Sequence, residues 1–293
     1  MHSETVDLEQ VRGFFERPAV TFEIDELTIE RILKDKANPL NIILNNIEDG
    51  SIVLDVGTGS GLLAHLLIRT KKNVVIDGIE PDTFAYGKSN QLYRKSYNST
   101  LEEFIENASK RLNSYDYIIF ADVIEHLANP SAILLKTEKL LKKEGKILIS
   151  TPNIAFASVR LSLLNGNFNY TDSGILERTH LRFFTQETLH KLFNHLNLSI
   201  TKEYHSIRNP ALMEIDISRF WNSPFLITHI DRDPLSRVYQ FVFCLSFEKQ
   251  KNQAQVSKID DIHPPLFVYL FSNVIKRLAV KIVSLMFLQP LSK

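Results

Sequence analysis

From about residue 50 the chain alternates short β-branched apolar runs with stretches whose apolar residues recur at helical spacing. Ile52-Val-Leu-Asp-Val56 is a strand-like run, and Gly61-Leu-Leu-Ala-His-Leu-Leu-Ile68 then carries the three-and-four spacing of a helix. The same reading gives a strand over 73–79, a helix over 81–92, a weaker strand over 93–98 and a polar helix over 101–112. Tyr117-Ile-Ile-Phe-Ala121 is a buried strand, and a helix starts at Pro130, where a missing N–H costs nothing. That helix is expected to run to Lys143 and end at Gly145, before a strand over 146–150. Strands separated by crossover helices predict an α/β fold with a parallel sheet.

The second half is less regular. Residues 153–164 read as helix, 166–172 as loop, and Thr185 as the cap of a helix reaching Leu196. Strands are expected over 198–204 and 238–247, with an insertion containing Trp221 between them, too long for a hairpin. The expected organisation is one domain over 1–250, with a helical lead-in (1–49), a core (50–204), the insertion (205–237) and a last strand (238–247). Residues 251–293 are read as a polar linker and an amphipathic helix.

Composition removes several classes. With 44% hydrophobic and 23% charged residues the chain is neither disordered nor low-complexity. Lys plus Arg and Asp plus Glu both number 34, so no basic excess points to nucleic acid. The single cysteine, Cys244, excludes an intramolecular disulfide and a multi-cysteine zinc site, and its apolar run predicts a buried inert thiol. No secretory leader or uninterrupted span of about 20 apolar residues is visible, so a cytoplasmic location is expected.

Two features then carry chemistry. The turn Gly57-Thr-Gly-Ser-Gly61 lets a ligand approach the backbone with no Cβ in the way. Glu80 ends the next strand, where nucleotide-binding sheets place an acid for ribose hydroxyls. The dinucleotide fingerprint needs its third glycine at the position of Leu62, and here that glycine comes one residue early, at Gly61. The departure disfavours an NAD-dependent oxidoreductase, the first rival reading; the second is a binding module without turnover.

Asp55-Val-Gly-Thr-Gly-Ser-Gly61, Glu80 and Asp122-Val-Ile-Glu-His-Leu127 resemble the successive motifs of class I S-adenosylmethionine-dependent methyltransferases over roughly residues 30–205. The resemblance implies a doubly wound, mostly parallel, seven-stranded Rossmann-like sheet whose last strand is antiparallel. It implies S-adenosylmethionine as cofactor, with Gly57, Thr58, Gly59 and Gly61 beside the methionine part and Asp55 ordering the loop or meeting the amino group. Glu80 would hold the ribose, Pro81 and Leu101 would shape the adenine side, and Asp122 and Val123 would lie beside the methyl donor. The segment Asn98-Ser-Thr-Leu-Glu-Glu103 stands where the family often meets the adenine amino group.

Leu176-Glu-Arg-Thr-His-Leu-Arg-Phe-Phe-Thr185 resembles a segment of a subset of these enzymes that includes bacterial methyltransferases near polysaccharide and lipid-glycan pathways. Methylation of a hydroxyl on a small-molecule, sugar or lipid-linked glycan acceptor is therefore expected. His180 is the preferred general base and His126 the second, since an imidazole titrates near neutral pH. Asp122 and His126, four apart, would share one face of a short helical turn. Arg178 or Arg182 could hold an anionic group, the alternative being that they tie down the loop. His65, His190 and His195 read as structural or surface residues. No resident metal is expected, because methyl displacement from a sulfonium needs none.

The tail from Leu266 to Leu288 is apolar but interrupted by Lys276, Arg277 and Lys281. As a helix it would carry one cationic strip and one apolar side. That suits either a membrane interface, with the enzyme peripheral at the inner face, or docking on the catalytic domain or a second subunit as a homodimer.

Overall fold

The computed structural model describes residues 24–107, 112–218, 220, 223–248 and 255–260. Its residues fall into two units, described separately below.

The larger unit is built on one sheet. Two lead-in helices, α1 (Glu26–Lys34) and α2 (Pro39–Leu44), begin at side-chain caps: the carboxylate of Asp25 accepts from Thr28 N–H at 2.7 Å, and the amide oxygen of Asn38 from Leu40 N–H at 3.0 Å. There follow β1 (Ile52–Val56), α3 (Leu62–Thr70), β2 (Val75–Ile79), α4 (Thr83–Ser89), β3 (Lys95–Tyr97), α5 (Leu101–Glu106), β4 (Tyr115–Ala121), α6 (Pro130–Lys136) and β5 (Leu141–Pro152). After an excursion into the smaller unit come α8 (Gln186–His195), β6 (Ser199–Ile207), β7 (Val238–Ser246) and β8 (Gln255–Asp260). The strand order is β3-β2-β1-β4-β5-β7-β6-β8. Strands β1 to β5 pair in parallel, and β7 runs antiparallel to β5.

Val53, Leu54, Ile118, Ile119, Phe120, Ile147, Leu148 and Ile149 are all fully buried, as strands covered by helices on both faces must be. Each such side chain contributes roughly 1.5–3 kcal/mol by leaving water. Cys244 lies in this core, and burial pushes its thiol up to about 11. Because β1 pairs with β2 on one side and β4 on the other, the order reverses there. The crevice at the carboxyl ends of β1 and β4 is where such sheets take ligands.

Three expectations are corrected. The sheet has eight strands, not seven, because residues 255–260 of the expected linker form β8, parallel to β6. The helix from Pro130 gives way to a 3-10 turn over 137–140, and Leu141–Lys143 are already strand. Gly145 lies inside β5 at a register shift, where a Cβ would meet the Tyr115 carbonyl at 2.9 Å.

The smaller unit takes residues 155–168 and 208–238, so the expected insertion is joined by a segment assigned above to the core. Ala157 and Leu161 of α7 (Ala157–Leu164) pack with Ile217, Phe220 and with Ile227 and Ile230 of α9 (Pro224–Asp231). Arg160 pairs with Asp233 at 2.6 Å. Trp221 and the tail beyond Asp260 lie outside the described residues. Among the described residues no helix is long and apolar enough to cross a membrane.

Candidate active site

Gly57, Gly59 and Gly61 all adopt positive φ, at 75°, 51° and 86°. The Ile79 carbonyl accepts from Gly57 N–H at 2.8 Å and from Thr58 N–H at 3.2 Å, which ties the turn to the end of β2. A Cβ on Gly57 would meet Val123 Cγ2 at 2.8 Å, and one on Gly61 would meet Leu92 Cδ1 at 2.5 Å. Gly59 differs. Among the described residues nothing lies within 4 Å of its Cβ position, and the chain turns its bare backbone toward open space there.

Glu80 is buried and spans the loop. One carboxylate oxygen accepts from Gly59 N–H at 2.7 Å and the other from Asp82 N–H at 3.0 Å. The acid therefore fixes the tip of the glycine loop as well as the start of α4. Pro81 beside it is exposed. Asn98 donates to the carbonyls of Glu80 at 2.9 Å and Pro81 at 3.1 Å, so its amide braces this corner. Leu101, first residue of α5, is buried behind a capping box made by Thr100 and Glu103.

Asp55 is 2% exposed, and its carboxylate accepts from the Tyr93 hydroxyl at 2.8 Å. Burial raises its carboxyl to about 7; the Tyr93 hydrogen bond opposes the shift and the Glu80 charge adds to it. Burial likewise drives the Tyr93 hydroxyl upward. Gly78 makes this pairing possible, since a Cβ there would meet Thr58 at 2.7 Å and Tyr93 at 2.8 Å. Neither Tyr93 nor Gly78 was expected, and only the apolar strand pattern of β2 could have hinted at the latter.

After β4 the backbone turns through Asp122, which has φ 56°. Its carboxylate accepts from Ser150 Oγ and from the Gln240 amide, both at 2.8 Å. Protein atoms crowd the carboxyl and raise it above its ordinary range, although the residue keeps access to solvent; the Ser150 and Gln240 bonds work against the shift. The expected common helix face for Asp122 and His126 does not form. Residues 124–126 make a single 3-10 turn, and the left-handed Asp122 is held toward β5 and β7.

The two candidate bases do come together. The rings of His126 and His180 meet edge to face, with centroids 4.7 Å apart. The Glu125 carbonyl accepts from the N–H groups of both Leu181 and Arg182 at 2.9 Å, which pins the segment carrying His180 to the turn carrying His126. His180 is buried, with Nδ1 3.0 Å from the Ile175 carbonyl and Nε2 4.0 Å from Glu177. His126 Nδ1 lies 3.0 Å from Thr179 Oγ1 and 3.2 Å from the Thr179 carbonyl, and the Thr179 hydroxyl donates to Glu177 at 2.7 Å. A carbonyl only accepts, and the Thr179 proton is spent on Glu177. Both imidazoles in their neutral form thus carry the proton on Nδ1 and the lone pair on Nε2.

Beside them is Glu125, 1% exposed, with a carboxylate oxygen within 4.8 Å of a ring nitrogen of each. Thr151 Oγ1 donates to one of its oxygens at 3.1 Å, and burial raises its carboxyl well above the usual range. Glu125 lies within the Asp122–Leu127 motif but was not among the expected site residues. Arg178 pairs with Asp172, and Arg182 donates to the Ala128 carbonyl at 2.6 Å, so both arginines are fastened to the loop. His65 is part-buried and His195 exposed. His190 is more engaged than expected: with His205 it grips the buried Glu203, at 2.9 and 2.7 Å.

Comparison with known proteins fits this geometry. A family model described as a methyltransferase domain matches residues 29–203. The chain belongs to that family. Ubiquinone biosynthesis O-methyltransferase, mitochondrial, of Dictyostelium discoideum is 28% identical over 230 residues, which is 73% of this chain and 68% of the relative. The enzyme of the same name from Rickettsia bellii is 30% identical over 173 residues, 57% of this chain and 69% of the relative. A SAM-dependent methyltransferase of Thermotoga maritima described as a possible histamine N-methyltransferase shares the fold at a TM-score of 0.50 and 13% identity, covering 82% of this chain and 96% of its own. A plantazolicin methyltransferase crystallised with S-adenosylhomocysteine does so at 0.50 and 17%, covering 80% and 93%. The protein is a class I methyltransferase, and its cofactor is S-adenosylmethionine. The open backbone at Gly59, at the sheet's reversal point and bound to Glu80, fits that group.

Proposed function

We propose that this methyltransferase methylates a hydroxyl oxygen of a small-molecule acceptor, and that the His126–His180 pair activates that hydroxyl. The observation that carries the proposal is the pair itself. Two imidazoles touch at the carboxyl end of β4, each oriented by an acceptor on Nδ1 and each with its lone pair on Nε2. His180 is the first choice of base and His126 the second. Proton transfer by a positioned group adds about 10²–10⁴-fold. The names of the relatives, O-methyltransferases of ubiquinone biosynthesis, support oxygen as the accepting atom.

S-adenosylmethionine, when bound, would supply a sulfonium methyl group for direct transfer to the acceptor, with S-adenosylhomocysteine as the leaving group. The chain's residues hold and orient. Gly57, Thr58, Gly59, Gly61 and Asp55 take the methionine part, Glu80 the ribose, Pro81 and Leu101 the adenine side, and Asp122 and Val123 the region of the methyl group. Orientation of this kind supplies up to roughly 7–11 kcal/mol of barrier reduction. The test is a screen with labelled S-adenosylmethionine against phenols, sugars, lipid-linked glycans, carboxylates and amines. Label is expected in a hydroxyl-bearing acceptor and is expected to fall at least 100-fold in His180→Ala or His126→Ala. Transfer to amines alone, or full turnover in both variants, would refute the assignment.

A further inference from the structure

Besides the two imidazoles, the site contains a third group that could bind a metal. One ligand atom from each of Glu125, His126 and His180 lies within 4.8 Å of the others. Ligands about 2.1 Å from a shared ion stand roughly 3–3.5 Å apart, so small side-chain shifts close the set. We propose that Glu125, His126 and His180 bind one divalent transition-metal ion of the zinc class, which holds the oxygen of the acceptor.

Three observations support the site. First, Glu125 is 1% exposed and its Oε1 is buried with no hydrogen-bond partner among the described residues. A buried carboxylate oxygen without a partner costs stability, and a cation would satisfy it. Second, both imidazoles direct Nδ1–H to protein oxygens: His180 to Ile175, His126 to Thr179. Metal-binding histidines are held in this way, by a carbonyl or similar acceptor on the far nitrogen, which leaves Nε2 as the ligand. Third, two imidazoles and one carboxylate are a donor set suited to Zn²⁺, Fe²⁺ or Co²⁺, with positions left for a substrate oxygen. Buried polar groups arranged this way go beyond what a capped turn needs. Thr151 on Glu125 Oε2 and the Thr179–Glu177 bond are the outer supports.

The chemical role rests on the hydroxyl-transfer reading above; the binding does not. A hydroxyl held by such a cation loses its proton to water more readily, as metal-bound water does when its pKa falls to about 7. With the ion in place both Nε2 lone pairs are on the metal, so the activation assigned above to an imidazole base passes to the ion, and His126 and His180 act as its ligands.

The experiment uses the full-length protein, stripped with a chelator and titrated with Zn²⁺ by calorimetry and with Co²⁺ by its visible absorption. One ion per chain is expected to bind, with an imidazole-type Co²⁺ spectrum. Glu125→Gln, His126→Ala and His180→Ala should each weaken it by more than about 100-fold, and Thr179→Val, which keeps every ligand, by roughly 10–100-fold. His190→Ala, whose imidazole serves Glu203, should leave it unchanged. Retained S-adenosylhomocysteine binding shows that each variant is folded. Failure of the stripped wild-type protein to bind Zn²⁺, or binding that survives all three ligand substitutions, overturns the site. Turnover unaffected by the chelator overturns its role. Zn²⁺ binding with no hydroxyl methylation would instead keep the site and sink the hydroxyl-transfer reading.

Discussion

The buried Asp55 should make the stability of this enzyme depend on pH in a direction opposite to that of a paired carboxylate. Its carboxyl stands at about 7 in the folded chain against an ordinary 3.8, because burial disfavours its charge more than the Tyr93 hydrogen bond restores it. Well below pH 3.8 the group is protonated in both states and imposes no penalty. As pH rises toward 7 the unfolded chain releases the proton while the folded chain keeps it, so the unfolded state is favoured. At 1.36 kcal/mol per unit, three units amount to about 4 kcal/mol, of which about 3 kcal/mol appears between pH 5 and pH 8. Asp55→Asn keeps an oxygen for the Tyr93 hydroxyl and removes the titration. Urea unfolding of both proteins across that range isolates the effect, because all other titrating groups cancel in the difference. The variant is expected to gain on the wild type by about 3 kcal/mol from pH 5 to pH 8. A difference that stays flat, or that moves the other way, would show that Asp55 is ionised in the folded protein at pH 5 and that its burial is offset by something other than Tyr93.

Other substitutions separate the roles of the loop. Gly59→Arg should fold, at about 1 kcal/mol for its left-handed backbone, yet lose S-adenosylhomocysteine binding by calorimetry, since its side chain enters the open space at the tip. Gly61→Ala should instead cost about 2–4 kcal/mol in thermal or urea unfolding, because its Cβ meets Leu92 and Ser89. Glu80→Gln has one acceptor oxygen for two backbone donors and should weaken cofactor binding by about 2 kcal/mol, roughly 30-fold in Kd. Glu203→Ala removes the carboxylate shared by His190, His205 and Gln186 and should destabilise the protein by about 3 kcal/mol at neutral pH, read by urea unfolding.

What the sequence disclosed follows from the range of the forces involved. Parallel strands buried on both faces must be apolar throughout, so β1, β2, β4 and β5 stood out from residue types alone. Caps and sharp turns are equally local, and Thr185 and the glycine loop were legible for that reason. The errors lie where a distant partner decides. Residues 255–260 have no apolar alternation, and it is their pairing with β6 that makes them a strand. Leu141–Lys143 have a helical composition, but β4 draws them into the sheet before the bulge at Gly145. At the site, the histidines could be picked out by type and by their position on the sheet edge, whereas their mutual contact depends on the Glu125 carbonyl gripping a segment some 55 residues further on. The same dependence hid Tyr93, which reaches Asp55 only because Gly78 carries no Cβ. Residues whose chemistry is their own were thus readable one at a time. Residues whose chemistry is a property of the pair, such as Asp55 with Tyr93 or Glu125 with the two imidazoles, became readable only once the fold had closed, and these are the positions where substitution should separate binding, chemistry and stability most sharply.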